Sequence, residues 1–223
     1  MVTESLSKAI DSLGKGEKSY CASAIEIYAQ EIFSRVIEID NAFKNMSITL
    51  EYLKHQEYQG SSYKFSDHHS FHIENFLLRL TSVVDRSYLL AGSTMLMENS
   101  KIERLGGKSN INKELRLFSS TSVDILSKME QSIAHLRESR NQVAHQAGFS
   151  SKNICILQAI ENSELESISV KKITDFMSYD EIKKLVIKEP IEDFERVLSV
   201  MDDLVQQLIN SLSFVYSGVV RHT

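Results

Sequence analysis

Pro190 is the one residue in this 223-residue chain that cannot donate a helical hydrogen bond. Glycine, the other common breaker, occurs only eight times. A chain this poor in both is badly suited to the many tight turns of a β-sandwich or barrel. It is well suited to long helices, and its apolar residues recur at the three- and four-residue spacing that helices need.

Ile25, Ile32, Val36, Ile39 and Phe43 mark the inner face of a helix running from about Ser19 to Glu57. A polar turn, QGSSYKFSD, follows and offers Ser66 or Asp67 as the N-cap of a second helix ending near Glu98. The loop KIERLGGKSN holds the one Gly-Gly pair and leads to a short helix around Lys113–Phe118. A further amphipathic helix, capped near Ser120–Ser122, carries Val123, Leu126, Met129, Ile133 and Leu136, then Val143 and Ala147. Beyond Gly148 the pattern fits either a short helix or a small hairpin using Ile154, Ile156 and Ile168. Pro190 suits the first position of a final helix whose first turn is acidic. The expected fold class is all-α, a bundle of four to five long helices with a C-terminal helical extension. No linker is evident, so residues 1–223 are expected to form one domain: an N-terminal segment (1–18), a core bundle (19–150) and the extension (151–223).

With 42% apolar and 25% charged residues, the composition is that of an ordinary soluble globular protein. Cys21 and Cys155 are far apart and in no Cys-x-x-Cys, which suggests neither a disulfide framework nor a zinc site and fits a reducing cytoplasm. The opening MVTESLSKAI has no apolar core of a signal peptide. The last apolar stretch is broken by Asp202, Asp203, Gln206, Gln207 and Asn210, so it reads as amphipathic, with no membrane partner. A cytoplasmic protein is expected.

The net charge of −5 disfavours a nucleic-acid partner, but the charge is unevenly spread. Residues 101–152 carry nine Lys/Arg against five Asp/Glu. Within them Lys101, Arg104, Lys108, Lys113, Arg116 and Arg137 are candidates for contacts to a phosphate backbone.

Three features invite a chemical reading. In DHHSFHIENF, His68 and His72 stand at i,i+4, and His69 and His72 at i,i+3. Two ligands are too few for a metal, and no Glu-x-x-His accompanies them, so the cluster reads as a solvated first helical turn. Gly106-Gly107-Lys108 lacks the rest of a phosphate loop and reads as a turn. The third feature is RESRNQVAHQ. There Arg140 takes a slot between Leu136 and Val143 where the apolar stripe calls for an apolar residue, and a buried or interfacial arginine needs a partner. Asn141 and His145 share a helix face, whereas Arg140 and His145 lie about 140° apart. Converging both on one phosphate is easiest in a cleft between two copies of the helix. The plainer reading has Arg140 in a salt bridge and His145 at a helix end.

The run Arg140-Asn141-Gln142-Val143-Ala144-His145, late in an all-α bundle, resembles the HEPN superfamily signature, Arg-x(4–6)-His with Asn, Asp or His often after the arginine. The region HIENFLLRLTSVVDRS also has the look of HEPN proteins, and the resemblance covers about residues 20–150. It implies a metal-independent endoribonuclease of a toxin–antitoxin or antiphage-defence system, acting on RNA as a homodimer and needing no cofactor. Arg140, Asn141 and His145 would be its catalytic residues, and a cognate antitoxin protein a further partner. Other members have lost catalysis, so the alternative is a non-catalytic helical module binding RNA, nucleotide or a protein. Ala147 stands where one HEPN toxin group has a tyrosine that its antitoxin modifies, which argues against that form of regulation.

Overall fold

The computed structural model describes residues 1–137, 139, 141, 143, 151–163 and 168–222, and among them every regular element is helical. The helices are α1 (Val2–Gly14), α2 (Ala24–Leu53), α3 (Phe65–Thr94), α4 (Asn99–Ile102), α5 (Gly107–Phe118), α6 (Ser120–Ser132), α7 (Lys152–Asn162), α8 (Ile168–Phe176) and α9 (Tyr179–His222). A single 3-10 turn, Ala134–Leu136, follows α6. Three helices are long: α2 and α3 with 30 residues each and α9 with 44. The segment left open between helix and hairpin is α7. No helix of the described residues is long and apolar enough to cross a membrane.

Local capping chemistry sets the starts of the long helices, and it moves two of them from where periodicity alone places them. At α2 the backbone N–H and hydroxyl of Ser23 each donate to Glu26 at 2.9 Å, and the Glu26 N–H returns to the Ser23 hydroxyl at 3.4 Å. This reciprocal capping box satisfies two otherwise orphaned donors, so the helix begins at Ala24 and not near Ser19. The same box forms between Ser178 and Glu181, at 2.9, 2.7 and 3.4 Å. It starts α9 at Tyr179, and Pro190 therefore lies inside the helix, not at its first position. At α3 the Asp67 carboxylate accepts from the Lys64 N–H at 3.1 Å, and the helix opens at Phe65.

The chain divides into two compact units, and α2, α3, α6 and α9 contribute residues to both. The first contains Met1–Asn41, Val83–Met129 and Leu204–Thr223. Its core takes Tyr28, Ala29 and Ile39 from α2, Val84, Tyr88 and Ala91 from α3, Ile111 and Leu115 from α5, Leu126 and Met129 from α6, and Leu208 and Leu212 from α9. Of the face expected for α2, Ile39 is buried while Ile25, Ile32, Val36 and Phe43 are only half-buried. Glu26 is buried too, and beyond its cap it accepts from Lys8 at 2.9 Å and from the Tyr20 hydroxyl at 3.0 Å. The Ser23 N–H foremost, then Lys8, hold its carboxyl down at about 2 against an ordinary 4.5. α1 is thereby tied to the start of α2.

The Gly-Gly pair is a structural requirement of this unit. Gly106 has φ 83°, in the left-handed region, and caps α5. Gly107 is the stricter of the two: a Cβ there would lie 2.1 Å from the Ile102 carbonyl oxygen, which belongs to backbone and cannot swing aside. Gly107→Ala is expected to cost about 3 kcal/mol and lower Tm by roughly 10 °C, while Gly106→Ala costs about 1 kcal/mol. Thermal melts of the two variants check the ranking, and equal effects would contradict this account of the loop.

The second unit contains Ala42–Ser82 and Glu130–Asp203. Met46, Leu50 and Leu53 of α2, Ile73, Phe76, Leu77 and Leu80 of α3, Ile154, Leu157 and Ile160 of α7, and Val186, Phe194, Val197 and Met201 of α9 form its core. Phe76 and Phe194 stack at its centre, with ring centroids 4.1 Å apart and planes within 8°. The stripe Val123, Leu126, Met129, Ile133 is buried as its spacing requires. The helix that carries it is shorter than expected, ending at Ser132, with Ile133 at φ −105°, ψ 3° before the 3-10 turn. A 3-10 turn advances three residues per turn in place of 3.6, so the phase of the stripe shifts beyond Ile133.

Candidate functional site

Arg140 and His145 lie outside the described residues, and Asn141 is helical and exposed. Arg137, Ser139 and Val143 are helical as well, Arg137 exposed and the other two half-buried. The root of this segment is held by chemistry the sequence did not suggest. On the 3-10 turn, His135 pairs through Nε2 with Asp193 Oδ2 of α9 at 2.9 Å. Arg196 takes the other oxygen of the same carboxylate. Each oxygen of Asp193 thus has a partner, Arg196 supplying a fixed positive charge. Beside it a pocket of about 190 Å3 is lined by Leu136 and Ser139 of the motif segment, Ser151, and Pro190, Asp193 and Phe194 of α9.

The basic residues expected to contact phosphate are distributed over both units. Lys101, Arg104, Lys108, Lys113 and Arg116 belong to the first and Arg137 to the second. Arg104, Lys113, Arg116 and Arg137 are exposed. Lys101 pairs with Glu98 at 3.3 Å. Lys108 is committed elsewhere, pairing with Asp85 at 2.8 Å and lying 5.0 Å from the centre of the Tyr88 ring. Exposed ion pairs of this kind are weak and exchange readily for a phosphate.

The histidine cluster is not a solvated turn. His69 is fully buried, at 0% exposure, and its ring stacks on Phe65 with centroids 5.3 Å apart. Its Nε2 donates to the Val186 carbonyl of α9 at 3.0 Å. Val186 is the residue four before Pro190, whose missing N–H would otherwise bond that carbonyl in a regular helix. The proline therefore leaves an acceptor open in the middle of α9, and His69 fills it. With Nε2 donating, the ring is neutral and Nδ1 bears the lone pair, buried with no partner. Protonation there would place a charged N–H in apolar surroundings, and burial accordingly pushes His69 down to about 4.

His68 and His72, on the same helix, turn toward the loop that joins α2 to α3. Tyr58 stacks on His68, with centroids 4.1 Å apart, and Tyr52 stacks on His72 at 5.1 Å. His55 lies 5.4 Å from Tyr52 and 6.2 Å from Tyr58. These rings line a pocket of about 610 Å3 together with Phe71, Glu57, Gln59 and Ser61. Among the described residues no group of three or more His, Cys, Asp or Glu is placed to hold a metal. The signal for this assembly lay in the recurrence Tyr52, His55, Tyr58 at three-residue steps, opposite the His68/His72 pair.

Compared with models of protein families, with curated proteins and with solved structures, the chain matches nothing.

Proposed function

We propose that this chain is a metal-independent endoribonuclease of the HEPN type, acting as a homodimer in a toxin or antiphage-defence system. The observation that carries the reading is the run Arg140-Asn141-Gln142-Val143-Ala144-His145 in an all-helical chain. The chemistry needs no metal. The 2′-oxygen of RNA attacks the adjacent phosphorus and gives up its proton, the bond to the 5′-oxygen breaks, and that oxygen takes a proton to leave a 2′,3′-cyclic phosphate. An imidazole suits either transfer, and that role falls to His145. Arg140 offers a planar fork to the non-bridging oxygens and offsets the charge that builds on them. Asn141 orients His145 or binds the phosphate. An isologous dimer contact would bring two copies of the motif together and let each site draw on both chains.

Two features of the surroundings support this. Asn141 and Arg137 are solvent-exposed and accessible to a polyanion. Asp193, the acidic group at the root of the segment, is paired by His135 and Arg196 and does not stand as a bare charge against a phosphate. The direct test is incubation of the purified protein with single-stranded RNA in EDTA. Cleavage yielding 2′,3′-cyclic phosphate ends is expected to persist, and to fall steeply as salt rises because backbone contacts release counterions. Cleavage that appears only when a divalent metal is supplied would reject the mechanism.

A further inference from the structure

The pocket between the α2–α3 loop and the first turns of α3 has a lining that is mostly aromatic. Tyr52, Tyr58, Phe71, His55, His68 and His72 supply six rings, with one carboxylate, Glu57, and no lysine or arginine. Their arrangement is a stack, not a box. Tyr52 and His72 are within 12° of parallel, Tyr58 and His68 within 15°, and Tyr58 and His72 within 22°. An aromatic cage for a cationic head group would set its ring faces around the charge. Near-parallel rings instead extend most readily by stacking a further flat ring.

Two of the rings are pinned. The Tyr58 hydroxyl donates to the Tyr52 carbonyl at 3.0 Å, and His68 Nε2 lies 2.6 Å from the Ser61 hydroxyl. Others keep their polar edges open. The imidazoles of His55 and His72 make no hydrogen bond among the described residues, and Gln59 also borders the space. Burial first, then His68 and His55, lower the basicity of His72, which leaves it neutral at pH 7 with one donor and one acceptor nitrogen. Phe71, at 60% exposure, presents an uncovered aromatic surface at the rim, edge-on to His72 at 5.3 Å. A platform of π-faces edged by imidazole and amide groups suits a heteroaromatic ring with polar edges. The lack of cations makes it a poor seat for the phosphate of the same ligand.

We infer that this pocket holds an unpaired nucleobase of single-stranded RNA, stacked on the Tyr52/His72 and Tyr58/His68 pairs. The inference rests on the ribonuclease reading only for the choice of RNA over other carriers of a base. The test uses the full chain and a fluorescently labelled 2′-O-methyl octanucleotide, which has no 2′-hydroxyl to react and so reports binding whether or not the protein cleaves. An abasic oligomer of equal length and charge is the comparison. The base-bearing probe is expected to bind about tenfold more tightly than the abasic one, and Phe71→Ala and His72→Ala are each expected to weaken it about tenfold with the abasic affinity unchanged. Phe71 is exposed, so its replacement leaves the fold intact and keeps the test decisive if His72→Ala misfolds. Equal binding of the two probes, or variants within twofold of the parent, would overturn the inference. So would displacement of the probe by tetramethylammonium, which marks a cation cage. Cleavage of natural RNA alongside indifferent probe binding would leave the ribonuclease reading standing and remove the pocket from it. Base-dependent binding without any cleavage would do the reverse.

Discussion

His145→Ala is expected to reduce RNA cleavage by roughly 10²–10⁴-fold while leaving the helical circular dichroism spectrum and the melting temperature unchanged. The residue is assigned a proton transfer, and no other side chain of the motif titrates near neutrality. Arg140→Ala is expected to lose roughly 10²–10³-fold for a different reason, the missing stabilisation of charge on the phosphate. Arg140→Lys recovers part of it, because an ammonium supplies the charge without the two-pronged geometry. Mixing the two alanine variants separates a composite site from two independent ones. If each site draws on both protomers, mixed dimers regain one site with an intact Arg140 from one chain and an intact His145 from the other. Single-turnover cleavage of a defined single-stranded RNA measures all of this. Full activity in His145→Ala ends the proposed mechanism.

A second large effect is expected at the Pro190–Val186–His69 junction, and it concerns stability. Replacing His69 with leucine keeps most of its volume but strips the Val186 carbonyl of its donor in a buried place, at a cost of about 1–3 kcal/mol. In a Pro190→Ala background the new backbone N–H reaches back to Val186, and the cost of His69→Leu shrinks. A double-mutant cycle is therefore expected to show coupling of about 1–2 kcal/mol. Additive effects would mean that the proline and the histidine are unrelated. The same site predicts a pH dependence. The unfolded chain protonates His69 near 6.5 and the folded protein only near 4, so the unfolded state binds the proton first. Stability contributed by the neutral ring is complete above pH 6.5 and is lost as pH falls toward 4, by about 3 kcal/mol in all. Urea denaturation at pH 7, 5.5 and 4 should show this slope in the parent and a reduced one in His69→Leu.

Much of the architecture followed from short-range rules. Scarcity of Pro and Gly made the chain helical, and the three-to-four spacing of Val123, Leu126, Met129 and Ile133 placed them correctly in the core. What the apolar period alone could not set was where helices begin, because the local capping boxes Ser23/Glu26 and Ser178/Glu181 override it by satisfying orphaned donors. It also could not follow the motif helix past Ile133, where a 3-10 turn shifts the phase. Arg140, Asn141 and His145 stand out in the sequence because the chemistry proposed for them depends on residue type and spacing along one segment. The partners of the other histidines do not. His68, His69 and His72 sit within five residues, yet one is buried against a carbonyl 117 positions away and two join a stack of tyrosines from the preceding helix and loop. A side chain's partners across such distances depend on how the helices pack, and nothing within a window of one helical turn encodes them. Pro190 shows both sides of this. By itself the sequence determined that residue 190 brings no backbone N–H, which leaves a carbonyl open only if the residue falls inside a helix. Once the Ser178/Glu181 box had put Pro190 inside α9, only the tertiary structure decided that the gap would be closed by His69, because that requires α3 to carry a buried imidazole up to that turn.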